Sequence, residues 1–243
     1  MVEHLVRSYE DALRRLKALV TMMSELTKEQ LDAAVNAAQH ADASAAERVI
    51  EREPEADRLE HQIHNAVIQV LALRQPVAVD LRQVLSALQI AGELERICDH
   101  AENMARRLLT VYGKVAAPLR SPINTQLRSL LDLGHFAVGM VKDSIRAYIE
   151  EDADLAQAVW NRDKELDEMY SSLFRELITY MMEDPQCISA VVQALFVARD
   201  IERVGDRATN IAEAVRYLIF GVPVEEERPK ANTTKSMTVP ATT

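Results

Sequence analysis

The sequence predicts an all-α protein built as two tandem three-helix bundles related by internal duplication, and three observations carry that prediction. The first is a repeat. Glu95-Arg96-Ile97-Cys98-Asp99-His100-Ala101-Glu102-Asn103 and Glu202-Arg203-Val204-Gly205-Asp206-Arg207-Ala208-Thr209-Asn210 both read E-R-[IV]-x-D-x-A-x-N and begin 107 residues apart. A repeat of this length in a chain of 243 residues marks a duplicated unit. The second is composition: Gly and Pro are scarce (6 and 8) and helix formers dominate, while aromatics, at 5%, leave the core to aliphatic side chains. The third is periodicity. Ile90, Ile97, Ala101, Met104 and Leu108 fall on one helical stripe, as do Val197, Val204, Ala208, Ile211, Val215 and Leu218 in the second copy.

The elements follow in order. Helices are expected at about 3–41, 44–74 and 78–112, and again at about 119–151, 155–183 and 187–220. Ser44-Ala45-Ala46-Glu47 and Asp154-Leu155-Ala156-Gln157 have the pattern of capping boxes, which satisfy free N–H groups at a helix start. Gly113 and Gly221, with Pro118 and Pro223 just beyond, read as helix stops, and Pro76 and Pro185 mark the turns from second to third helix. Long helices joined by short turns pack as antiparallel bundles. The expected organisation is a first bundle at 1–116, a second at 117–221, and a disordered tail at 222–243, where Glu225, Glu226 and Glu227 precede a stretch without apolar periodicity.

Charge limits the partners. With 28 Lys plus Arg against 38 Asp plus Glu, the net charge is −10, which disfavours nucleic acid and favours cations and basic protein surfaces. Cys98 and Cys187 lack any C-x-x-C spacing and read as reduced, cytosolic thiols, a disulfide being the lesser alternative. The charged N-terminal stretch does not read as a signal peptide, and apolar runs such as Leu195–Ala198 are far too short to span or insert into a membrane.

Carboxylates supply the candidate site. Acids at i and i+4 on a helix point the same way and repel, so a cation or an arginine should neutralise them. Glu95 and Asp99 form such a pair, with Glu102 and Asn103 continuing the row, and Glu202 and Asp206 form another, continued by Asn210 and Glu213. These rows lie opposite the apolar stripes. The second helices carry matching pairs, Glu53 with Asp57 and Asp163 with Asp167. Where two such helices face each other, four carboxylates converge, and an all-oxygen set suits Mg, Mn, Ca or Fe. The competing reading is a solvated acidic face, with Arg96 and Arg203 as structural partners. His61 and His64 lie on the same side as Glu53 and Asp57, but Ser171 and Phe174 stand there in the second copy, so neither joins the candidate set. Cys98, matched by Gly205, reads as a small-residue helix contact. Neither a phosphate loop nor a nucleophile elbow, zincin motif or di-iron E-x-x-H is present, so an enzyme is not expected.

The doubled E-R-[IV]-x-D-x-x-x-N signature, with Ala72-Leu73-Arg74-Gln75-Pro76-Val77-Ala78-Val79-Asp80-Leu81-Arg82 and Tyr180-Met181-Met182-Glu183-Asp184-Pro185, closely resembles the PhoU family of phosphate-transport regulators over about residues 3–220. The resemblance implies two PhoU-type bundles related by a pseudo-twofold. It implies a cytoplasmic homodimer that represses phosphate uptake and the phosphate-starvation response. Its expected partners are the ATPase subunit of a phosphate ABC transporter and a phosphate-sensing membrane histidine kinase. Metal binding in that family through [ED]-x-x-x-D motifs would map onto Glu53/Asp57, Glu95/Asp99, Asp163/Asp167 and Glu202/Asp206. Two departures stand out: Pro54 inside the first motif, expected to kink the helix and displace Glu53, and Cys98 in place of glycine. A metal-storage or metal-dependent enzymatic bundle, and a plain helical scaffold, are the alternative readings.

Overall fold

In a computed structural model describing residues 2–74, 76–114 and 124–222, the chain forms six α-helices. They are α1 (Val2–His40), α2 (Ala43–Arg74), α3 (Ala78–Lys114), α4 (Asn124–Glu150), α5 (Ala153–Glu183) and α6 (Ile188–Phe220), with a single 3-10 turn at Pro185–Cys187. Among the described residues there is no strand. The expected boundary near residue 116 and the segment beyond Val222 lie outside the described residues, and no described helix is long and apolar enough to cross a membrane.

The helix starts differ from the expected capping boxes. Asp42 and Asp152 are the true caps: their Oδ1 atoms accept the N–H groups of Ala45 (3.0 Å) and Leu155 (2.9 Å). The shift of two residues has a cause in the preceding helix. Ala41 (φ 54°) and Glu151 (φ 55°) turn left-handed, so the N–H groups of Asp42 and Asp152 bond back to Ala37 (3.0 Å) and Ala147 (2.9 Å). One residue thus ends a helix and the next begins another. Ser44 and Asp154 are already inside the first turns.

Gly221 (φ 74°) closes α6, its N–H bonding to the Tyr217 carbonyl at 2.9 Å, and Arg82 Nε donates to the Leu218 carbonyl at 3.3 Å. Gly113, in contrast, sits within the last turn of α3, which runs on to Lys114. Pro54 does not end α2; it faces solvent, where water can satisfy the Ile50 carbonyl that loses its donor.

A single continuous core links both bundles. Met23, Ile63, Ile90, Leu94, Ile97 and Met104 fill the first half, and Leu133, Met140, Ile145, Leu166, Leu173 and Ile211 the second. The aliphatic expectation fails in the second half, which also buries Tyr148, Trp160, Tyr170 and Tyr180. The bundles join where α3 lies antiparallel to α6. There Arg207 donates to Glu93 (3.2 Å), and His100 Nδ1 lies 3.3 Å from Asp200, which also accepts from Arg107 Nε (3.1 Å). Glu93 and Asp200, like His100 and Arg207, are 107 residues apart, so one interaction is repeated across the pseudo-twofold.

Candidate functional site

The antiparallel packing of α2 on α3 brings Glu53, Asp57, Glu95 and Asp99 together, as their spacing required. Two further carboxylates, Glu60 and Glu102, join them. Burial, then the charges of Asp99, Glu60 and Asp57, push the Glu95 carboxyl up to about 7. Glu53 is raised by burial and by Asp57, Glu102 and Asp99, and Asp99 by burial and by Asp57, Glu102 and Glu60. Burial penalises each charged form, and ionising each carboxyl beside like charges adds to that cost. Glu102 is paired with Arg106 (2.6 Å), whereas none of Glu53, Asp57, Glu60, Glu95 or Asp99 forms a salt bridge among the described residues. Pro54 therefore leaves Glu53 in the cluster.

Glu60 was legible in the sequence as a continuation of the row, three residues beyond Asp57. Demanding a repeat hides it, because Tyr170 stands at the matching place on α5. The α3–α6 seam was legible too: an acid precedes each signature by two residues (Glu93, Asp200), and a histidine or arginine follows each aspartate (His100, Arg207).

The second groove has a different character. Asp163, Asp167 and Glu202 are buried rather than lying on a solvated face, at 3%, 6% and 5% exposure, and Asp206 is half-buried. Thr209 donates to Asp163 Oδ1 (3.1 Å), tying α6 to α5, and Arg199 reaches Glu202 at 3.3 Å. Tyr170 and Phe174, with ring centroids 6.3 Å apart, continue the α5 flank where α2 has Glu60 and His64. The second groove thus carries aromatic side chains at the two positions where the first carries Glu60 and His64.

The cysteines are free and separately buried. Cys98 donates to Thr27 Oγ1 at 3.4 Å, and burial pushes its thiol up to about 12, as suits a packing residue and not a thiolate ligand. His61 and His64 are exposed, the His61 ring bonded to the Asp57 carbonyl at 2.9 Å. The carboxylate grooves offer oxygen donors alone, the chemistry of hard cations. Among the described residues, no three His, Cys, Asp or Glu side chains are drawn close enough to ligate an ion as they stand.

Fold and site together define a class: tandem three-helix bundles with one acidic groove on each. The PhoU domain family model matches residues 20–108 and 130–215, the cores of both bundles. This chain belongs to the PhoU family. It is 39% identical over 230 residues to the phosphate-specific transport system accessory protein PhoU homolog of Caulobacter vibrioides, covering 95% of this chain and 97% of that one. To the protein of the same name from Xylella fastidiosa it is 38% identical, covering 96% of each. The crystal structure of PhoU from Pseudomonas aeruginosa superposes with a TM-score of 0.82 at 36% identity, over 88% of this chain and all of that chain. That of the phosphate transport system regulatory protein PhoU from Streptococcus pneumoniae gives 0.79 at 26%, over 90% of this chain and all of that one.

Proposed function

We propose that this chain is a cytoplasmic negative regulator of phosphate uptake and phosphate-starvation signalling. In this reading it is an adaptor between the ATPase subunit of a phosphate ABC transporter and a membrane sensor histidine kinase, and it has no turnover of its own. The observation that carries the reading is the family match across both bundles, to relatives named as accessory proteins of phosphate transport along nearly their whole length. The architecture suits the role. Long helices fixed by one continuous core present side chains to a partner at little ordering cost. Deleting the gene should leave phosphate-starvation genes on when phosphate is plentiful, and a plasmid copy should switch them off. A deletion strain that still shuts those genes down at high phosphate, in a background cleared of paralogues, defeats the reading.

A second reading concerns the grooves. Burial first, and then the charges of neighbouring carboxylates, raise Glu53, Glu95 and Asp99, and a divalent or iron-type cation there would offset the like-charge part of that cost. Glu53, Asp57, Glu95 and Asp99 would hold it in the first bundle, and Asp163, Asp167, Glu202 and Asp206 in the second. Such an ion would bridge neighbouring helices and stiffen each bundle.

A further inference from the structure

The first groove does not end with its acids. On α2 the row Glu53, Asp57, Glu60, His64 continues at helical spacing to Ile68, and on α3 the row Glu102, Asp99, Glu95, Gly92 continues to Leu88 and Leu85. A side chain at Gly92 would point at Glu60, its β-carbon 3.9 Å from Glu60 Oε1. That antiparallel register sets Ile68, about two turns further along α2, across from Leu85, about two turns back along α3. Both are exposed (53% and 39%), with Leu71 and Leu88 half-buried beside them. One furrow, about 25 Å long from the rise per residue, therefore changes from acidic to apolar along its length.

The second bundle does not repeat this row of side chains. Tyr170 and Phe174 replace Glu60 and His64, and Arg199 stands at the position of Gly92 and supplies its own cation to Glu202. The first groove thus has exposed apolar surface at Ile68 and Leu85 and, apart from the Arg106-paired Glu102, acids (Glu53, Asp57, Glu60, Glu95 and Asp99) that form no salt bridge among the described residues. Exposed apolar side chains next to uncompensated charge of one sign are complementary to a partner that is apolar and of opposite charge.

We propose that the α2–α3 furrow of the first bundle seats an amphipathic helix of a partner protein, with leucine-like side chains over Ile68 and Leu85 and lysine or arginine over Glu60 and Asp57. The inference rests on the adaptor reading and names the chemistry of one of its partners. A helix in a groove anchors through side chains at i, i+3, i+4 and i+7, a spacing that the two flanking rows provide. Basic residues speed the encounter and set its direction along the furrow, so docking weakens as salt rises.

The test uses the full chain with chelator present, so that no metal competes for the carboxylates. The probe is a fluorescent helical peptide with leucines along one half of a face and lysines along the other half of the same face. Binding is read by anisotropy and by protection of amide hydrogens from exchange. The expected result is saturable binding that protects α2 and α3. It weakens at least tenfold in the double variant Ile68→Glu/Leu85→Glu and in Glu60→Lys, with helical content unchanged, and is unaltered in Met182→Glu on the second bundle. Equal binding to wild type and to Ile68→Glu/Leu85→Glu overturns the proposal. So does protection mapped elsewhere, or a wild-type dimer that the double variant dissolves. In the deletion strain, a plasmid carrying the double variant should fail to restore repression. Full restoration by that variant overturns the furrow while leaving the regulatory reading standing, which only the deletion phenotype tests.

Discussion

Leu166 on α5 occupies the space that a side chain at Gly205 of α6 would need. In the first bundle the same crossing is built the other way round: Ala56 is the small residue on α2, and Cys98 the larger one on α3. The duplicated units therefore exchange which helix supplies the larger side chain at the contact, and in the first bundle Leu26 packs beside the pair, as a close-packed interior requires.

Gly205→Cys should accordingly overpack the second bundle and cost about 1–3 kcal/mol in denaturant unfolding. Adding Leu166→Ala should recover part of that loss, since the pair then copies the first bundle. Strict additivity of the two changes would show that the residues do not share this space.

The turns make a separate prediction. Asp42→Ala and Asp152→Ala should each cost about 1 kcal/mol, because each leaves an N–H at a helix start without its acceptor. Ser44→Ala and Asp154→Ala should be close to neutral. Thermal melts of the four variants decide between these caps and the capping boxes that the sequence suggested.

Stability should fall as the pH rises from about 4.5 towards 7. Glu95 titrates near 7 in the folded chain against 4.5 for the free group, so over that interval the folded state binds more protons than the unfolded. Glu53 and Asp99, also raised, act in the same direction. Denaturant midpoints for Glu95→Gln at the two ends of the interval should differ less than those of the wild type. An equal drop in both would place the dependence elsewhere.

Protein purified without chelator should carry metal in both grooves if the second reading holds. Asp99→Ala and Asp206→Ala should each reduce it in their own half and leave helicity intact. Elemental analysis of the double variant is the deciding measurement: unchanged metal content removes the grooves as the binding sites.

Much of this was legible along the chain. The helical period, the scarcity of glycine and the doubled signature determine six helices in two sets of three, because apolar stripes at that spacing bury only by packing against one another. The i, i+4 acids on second and third helices likewise determine which side chains meet in the first groove, since antiparallel neighbours with matched spacing bring them face to face. Tertiary structure decided the rest. The two grooves differ through Glu60 against Tyr170 and Gly92 against Arg199, and the burial of Asp163 and Glu202 is set by the packing of the helices around them. The pairing of Glu93 with Arg207 and His100 with Asp200 needs α3 laid antiparallel on α6, a contact between residues about a hundred positions apart. Local sequence sets periodicity and direction within one helix; which helix supplies the opposing charge or volume is a property of the packed molecule.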